Sequence, residues 1–464
     1  MPGISLPYGS RPIAWDPGVL PVTVLRCNRV PALDDLDARI RDALRAPIAS
    51  PPLRERLREC RRLAIVVSDA TRLFPQGRIL EAVLGELGAL DPARVTIVVA
   101  GGNHGRSDHA AVGLTPRVMS RFRVVDHDSR DAGSMVDVGT LPPIASRFFL
   151  AQALRHLCRS LPAAPGHARK ILRALRERDP GGARELIGYT MFGRALFIFG
   201  ASAPSRVRVR REVADADLRI LIGQVKPHFL AGFSGGYKAI FPGCADRTSI
   251  AMNHFMMSHP SVALGRNDGN IIRARIESAG RMCGGSFAVN VVMNVEGKVA
   301  GVFAGDPVEA QRRGSELSGR IGEVEAPAAD LVVSAEGFPD AVNLYQLTKI
   351  VPPAALVVRS GGAIVCAGEC RDGVGGLSIV NDITFRIGFW RLLPAGVRVY
   401  LVSNIPKRDV EKTDFIHAAT IAEAVDAERR RRSTPPSITV LAGAGLLIPR
   451  AAETRGASQN PPVG

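Results

Sequence analysis

The segment PHFLAGFSGGYKAIFPG, Pro227 to Gly243, holds two side chains able to do chemistry, the imidazole of His228 and the amine of Lys238. Between them, Gly-Phe-Ser-Gly-Gly supplies backbone that can approach a ligand closely and aim N–H groups at an anion. Ser234, Gly235 and Gly236 lie in that stretch. A further imidazole, His254, follows in Met252-Asn253-His254. Histidine takes and returns protons near neutral pH, or binds a metal through a neutral ring nitrogen. Two other polar clusters fit the same chemistry. Ser68-Asp69-Ala70-Thr71-Arg72 offers hydroxyl, carboxylate and guanidinium groups, and Arg72 suits a bidentate pair with a carboxylate or phosphate. Gly102-Asn103-His104 adds one more histidine. Taken singly, each has an ordinary explanation: a histidine hydrogen-bonded into structure, a solvated lysine, turn glycines. Their convergence would make a site.

Convergence depends on the elements that carry them. The apolar run RRLAIVVS, residues 61–68, reads as a buried strand ending at the Asp69 cluster. GRILEAVLGELGAL has helical spacing, and VTIVVA, Val95 to Ala100, is a second strand running into the His104 loop. RFRVVDHD at 121–128 is a third strand, and LRILIG at 218–223 a fourth that leads to His228. Strand, polar loop, helix and strand in alternation predict an α/β fold with largely parallel sheets, whose ligands lie beyond the carboxyl ends of the strands. A second α/β pattern starts near 285 with FAVNVVMNV and continues through DLVVSAEG, GAIVCAGE, VRVYLVSN and SITVLAGAGLLIP. The expected organisation is an N-terminal α/β domain at 1–280, a C-terminal α/β domain at 281–450 and a disordered tail at 451–464. An active-site crevice is expected between the two domains. Residues 144–200 form a basic insertion, in which Ile144, Phe148, Leu150, Leu154, Leu157 and Leu161 share one helical face.

Composition narrows the class. The net charge is +16, which admits nucleic acid, an acidic membrane surface or small anions as partners. Aromatic residues make up only 5%, so stacking platforms for single strands are scarce, and much of the arginine excess is peripheral, as at Arg429 to Arg432. No nucleic-acid partner is expected. No apolar run approaches the roughly 20 residues that span a bilayer, and no apolar h-region marks a secretory leader. Seven scattered cysteines suit reduced thiols in a cytoplasm, and Cys366 and Cys370, four apart, do not form a zinc pattern.

Together SDATR, the GxH at Gly102 to His104, PHFLAGFSGG-x-K, Asn253-His254 and YQLTK at Tyr345 to Lys349 resemble the nickel-pincer lactate racemases. The motifs occur in the family's order over nearly the whole chain outside 144–200. The resemblance implies a cofactor derived from a pyridinium mononucleotide that holds nickel between a carbon and two sulfurs. Lys238 would carry it covalently as a thioamide and His254 would be the protein's nickel ligand. His104 and His228 would be the acid/base pair on opposite faces of a small anionic 2-hydroxy acid. Arg72 would orient the substrate carboxylate. Tyr345, Gln346 and Lys349 would reach the substrate from the second domain. Asp69, Thr71, Ser234, Gly235 and Gly236 would seat the cofactor and its phosphate. The implied activity is racemisation or epimerisation by reversible hydride transfer, and the implied partners include the enzymes that make the cofactor.

The chain departs from that pattern in places. Gly105-Arg106 follows the GxH histidine where the family has Arg-Pro, Tyr237 stands where the lactate enzyme has arginine, and Leu73-Phe74 follows SDATR where a proline is usual. Val374 replaces a histidine. These changes point to the same cofactor with a different, lactate-like or larger, substrate. Two other readings compete: a non-catalytic relative that binds the cofactor or an anion, and a basic nucleic-acid or membrane-associated protein. Retention of His104, His228, Lys238 and His254 favours the enzyme.

Overall fold

The computed structural model describes residues 3–104, 106–143, 172, 176, 204–375, 392–411 and 413–451. The basic insertion at 144–200 and the tail expected from 451 thus lie outside the described residues, apart from Leu172, Arg176 and Ala451. In chain order, the strands of the two main sheets begin with β1 (Val22–Leu25), β2 (Leu63–Ser68), β3 (Val95–Ala100) and β4 (Arg123–Asp126). They continue with β5 (Leu218–Gln224), β6 (Ser286–Met293), β7 (Val299–Gly305) and β8 (Ala329–Ala335). The last are β9 (Val358–Ala367), β10 (Arg398–Val402), β11 (Ile416–His417) and β12 (Ile438–Ala442). Four helices matter below: α1 (Gln76–Gly85), α2 (Arg247–Phe255), α3 (Ile271–Met282) and α4 (Pro307–Gly322).

The chain divides into two compact units. One takes in the described residues from Arg29 to Ile321, the other those up to Asn28 and from Gly322 onward. The break therefore falls some forty residues beyond the expected 280/281 boundary, and the first strand joins the later unit. The reason lies in strand pairing. β6, expected to open the second domain, pairs in parallel with β5, from Ser286 opposite Arg219 to Val291 opposite Gln224. β7 then returns antiparallel on β6. β1 pairs in parallel with β12.

The sheet of the first unit has the order β7-β6-β5-β2-β3-β4, with every pair parallel except β6 and β7. Its strands are nearly continuous apolar runs because both faces are covered. Val66, Val98 and Leu221 face one core with Ile240 and Phe241. Ile65, Val67, Ile97, Ile220 and Ile222 face the other with Ile79, Leu80 and Val83 of α1. From β2 the chain steps outward through β3 to β4, then crosses back to lay β5 on the other side of β2. The carboxyl ends of β2 and β5 thus flank the point where the strand order reverses, the place where such sheets bind ligands.

The second unit has the sheet order β11-β10-β9-β8-β12-β1, parallel throughout. Leu331, Val333, Ala363, Val365 and Val440 pack in its core. Beyond the carboxyl end of β8, Asn343 accepts a hydrogen bond from Gln346 N at 2.9 Å and so starts the short helix Leu344–Leu347. Among the described residues no helix is long and apolar enough to cross a membrane.

Candidate active site

β2 ends where the first residue of α1 catches it. Gln76, buried, accepts from Ser68 N at 2.7 Å and donates to Ser68 O at 3.0 Å and Val112 O at 2.9 Å. The chain then turns, Arg72 N donating to Asp69 O at 3.2 Å, and this drives the Asp69 carboxylate inward, where it is only 5% exposed. There it accepts from His104 Nδ1 at 2.8 Å, from Thr71 N at 2.8 Å and from the Thr71 hydroxyl. Burial alone would raise the Asp69 pKa. The hydrogen bond and charge of His104, with the Arg72 guanidinium and Thr71, hold it instead well below the usual carboxylate range. Of the two residues expected to seat the cofactor, Asp69 thus turns to His104, and Thr71 turns to Asp69. A carboxylate fixed on Nδ1–H leaves Nε2 as the basic nitrogen of that ring.

The loop bearing His104 is itself tied down. His104 N donates to Gly101 O at 2.8 Å, and Gly102 N donates to Gly243 O at 2.9 Å, joining this loop to the end of the Pro227–Gly243 segment. From the β4 side, His127 donates through Nε2 to Ala245 O at 2.9 Å. Burial pushes His127 down to about 4, so its ring is neutral.

The Pro227–Gly243 segment folds back on itself, His228 pairing with Gly232. His228 stacks on Phe229 with ring centroids 5.4 Å apart. Its Nδ1 accepts from Leu230 N at 3.2 Å and Ala231 N at 3.3 Å, so the ring proton sits on Nε2. The two histidines are therefore unequal: His104 presents a base and His228 a donor. Ser234, expected to touch the cofactor, gives its hydroxyl to Gln224 O at 2.7 Å and accepts from Lys226 N at 2.9 Å. Gly235 and Gly236 have positive φ, and Gly236 N donates to Asn290 Oδ1 at 3.2 Å. A Cβ on Gly236 would lie 2.5 Å from Pro307 O, so glycine is required there by space as well as by φ. Tyr237, in the place of the family's arginine, is buried against Gly280 of α3.

Lys238, half-buried, follows on a short 3-10 turn, Gly236–Ala239. α2, capped by Asp246 at Ser249 N and Thr248 N, brings His254 into electrostatic reach of both Lys238 and His104. Burial pushes His254 down to about 4, and the Lys238 and His104 charges add to the effect. Its Nδ1 donates to Ile250 O at 2.8 Å, so the ring is neutral with its lone pair on Nε2. That is the state a metal-ligating histidine adopts, with a backbone carbonyl fixing the tautomer. Among the described residues no set of three or more histidine, cysteine, aspartate or glutamate side chains could hold a metal ion. The donor chemistry fits a metal that brings its other ligands with it.

A cavity of about 590 Å³ opens beside His104, bordered by Asn103, Arg106, His109, Asp126 and Arg130. Asp126 receives His109 Nε2 at 3.0 Å and lies 3.6 Å from Arg106 Nε. In the second unit, the Lys349 amine contacts Gln346 Oε1 and lies 3.8 Å from Asp340, with Tyr345 on the same turn.

The sequence reading missed the residues that shape the loop: Asn270, which caps α3, Arg273 of α3, Gln311 of α4 and Asn290 of β6. Arg273 was the visible signal, an arginine between Ile272 and Ile276 on the apolar face of a helix.

The family model for the lactate racemase N-terminal domain matches residues 8–145 and 198–265, and that for the lactate racemase C-terminal domain matches 324–387. Together they take in more than half of the chain. A lactate racemase of Thermoanaerobacterium thermosaccharolyticum is 26% identical over 385 residues, covering 81% of this chain and 76% of that protein. A lactate racemase of Lactiplantibacillus plantarum is 28% identical over 350 residues, covering 74% and 68%. Among solved structures, the T. thermosaccharolyticum lactate racemase apoprotein superposes with a TM-score of 0.74 at 24% identity, covering 97% of this chain and all of that one. A Thermotoga maritima protein does so at 0.62 and 16% identity, covering 91% and 100%. At those identities the two structures speak for the fold alone.

Proposed function

The chain belongs to the lactate racemase family, and from that premise we propose that it racemises or epimerises a 2-hydroxy acid with a nickel-pincer nucleotide held on Lys238. The observation that carries the reading is the His104–Asp69 pair, set at a strand-order reversal, with His254 in electrostatic reach of both His104 and Lys238. Lys238 attaches the cofactor covalently and His254 Nε2 provides the protein's donor to nickel. When bound, the cofactor supplies a reversible acceptor for the hydride on the substrate's C2. That route avoids abstracting a proton from a carbon with no adjacent carbonyl to acidify it, and the hard electron chemistry is the cofactor's.

The chain's own residues manage protons and position. His104 takes the substrate's hydroxyl proton on Nε2, and Asp69 steadies the imidazolium that forms. His228 presents Nε2–H as a hydrogen bond to the substrate oxygen from the opposite face of the planar 2-keto acid, and His104 gives its proton back to that oxygen as the hydroxyl reforms. Arg72 orients the carboxylate as a two-pronged donor. The cavity beside His104 gives a substrate larger than lactate room for its chain beyond C3. Described cysteines are all unpaired thiols, and burial pushes Cys244, Cys283 and Cys366 up, which suits a reducing cytoplasm.

The deciding experiment is intact mass with nickel content, on chain co-produced with the family's cofactor-making enzymes. A nickel-bearing adduct mapped to Lys238 is expected, absent in Lys238→Ala and kept in His104→Ala, which loses turnover. An unmodified, nickel-free wild-type chain, where the same co-production loads a known relative, overturns the proposal.

A further inference from the structure

The loop between His228 and Lys238 buries a row of backbone carbonyls, and α3 supplies their donors. Asn270 Nδ2 donates to Leu230 O at 2.9 Å. One residue takes three more, at alternate positions. Arg273 donates through Nε to Ala231 O at 3.2 Å, through Nη2 to Phe233 O and through Nη1 to Gly235 O at 3.5 Å. Gln311 of α4 holds Ser234 O at 3.2 Å, and Gly265 N holds Gly232 O at 3.0 Å. Three alternate carbonyls of the loop are thus turned toward one rigid planar fork.

Arg273 is 3% exposed, and burial lowers its pKa only to about 10, so it carries a full charge at neutral pH. Glu277, one turn on in α3, acts on it from a distance, and its polar contacts are the loop carbonyls. Burying a guanidinium is costly, and a structural filler of that volume need not be charged. A guanidinium is the one side chain that can hold three diverging carbonyls at fixed angles; an ammonium is a point donor. Alternate carbonyls at 231, 233 and 235 fix the path of the chain, and with it the spacing of the residues at its two ends.

We propose that Arg273 is a positioning residue that fixes His228 against Lys238, holding the proton-donating ring in register with the attachment site. Its kinetic consequence rests on the function proposed above, while its mechanical consequence does not. The molecule contains its own control. Arg219 is also buried and also forks onto carbonyls, donating to Val213 O and Ala214 O at 2.6 Å and to Gly285 O at 3.2 Å. It stands at the amino end of β5, at the opposite edge of the sheet from the site.

The test compares Arg273→Lys with Arg219→Lys in cofactor-loaded protein, reading Tm, mass of the Lys238 adduct, kcat and KM separately, and amide hydrogen exchange over 229–238. Both variants are expected to lose Tm. Arg273→Lys alone should exchange its loop amides at least tenfold faster and lose about 10- to 100-fold in kcat, with KM within about threefold and the adduct retained. Where the lysine variant fails to fold, Arg273→Gln, which keeps two N–H donors, takes its place. Wild-type kcat or unchanged loop exchange in a folded Arg273 variant overturns the proposal, as does an equal kcat loss in Arg219→Lys. If the wild-type chain shows neither adduct nor turnover, the functional reading has failed and loop exchange alone decides the role of Arg273.

Discussion

Replacing Asp69 with asparagine tests the chemistry at its tightest point. The amide of an Asp69→Asn variant can keep its oxygen on His104 Nδ1, accepting the 2.8 Å hydrogen bond and holding the ring, at the expense of the Thr71 N–H bond to the other oxygen. What disappears is the countercharge for the imidazolium formed when Nε2 takes the substrate's proton. Two unit charges about 4 Å apart at an effective dielectric of about 20 attract by about 4 kcal/mol. The Asp69 side chain is 6% exposed but that of His104 is 24% exposed, so water screens part of this. About 2–3 kcal/mol of lost transition-state stabilisation remains, or roughly 30- to 160-fold in kcat/KM. The assay is the initial rate of C2 inversion, read by chiral chromatography, on protein whose Lys238 adduct and nickel content match the wild type. A folded, fully loaded Asp69→Asn enzyme within about threefold of wild type would refute the role of the pair.

Two further outcomes are expected. His228→Gln keeps an N–H donor but cannot carry a proton, so if His228 serves only by donating, the variant should keep within about tenfold of wild-type kcat in at least one direction of inversion. A loss above about a thousandfold in both directions would show that His228 itself takes a proton. His127, neutral and depressed to about 4 when folded against about 6.5 when unfolded, binds its proton more readily in the unfolded chain. Its contribution is complete above pH 6.5 and is lost as pH falls from 6.5 to 4, by up to about 3 kcal/mol. Urea titrations of His127→Gln should show a correspondingly flatter dependence over that interval, and equal slopes in the two proteins would contradict the assignment.

Much of the first sheet was legible because its strands are buried on both faces. VTIVVA became β3 over the expected residues, and LRILIG became β5 with one residue more. The polar clusters at their ends were found for the same reason, since a burst of Asp, Thr, Arg or His after such a run has nowhere to go but a loop. The unit boundary was not legible. β6 is as apolar as any strand of the second sheet, and only its pairing with β5, across some sixty residues of chain, says where it belongs. The partner of Asp69 was equally hidden. Neither SDATR nor GNH states that the carboxylate of one turns onto the imidazole of the other, because the turn that buries Asp69 is set by Gln76, on the following helix. Arg273 lies further still from local inference, since its acceptors are backbone atoms that any sequence would possess.

The antiparallel pair Met135–Leu141 and Ser205–Arg210 closes with Leu141 beside Ser205. The two points between which the chain runs from 141 to 205 are therefore held side by side. A detour between two adjoining points can grow at a cost that rises only with the logarithm of its length. A longer or a shorter stretch between those two points therefore closes at nearly the same cost. Consistent with that freedom, the family's own N-terminal signature stops at 145 and resumes at 198.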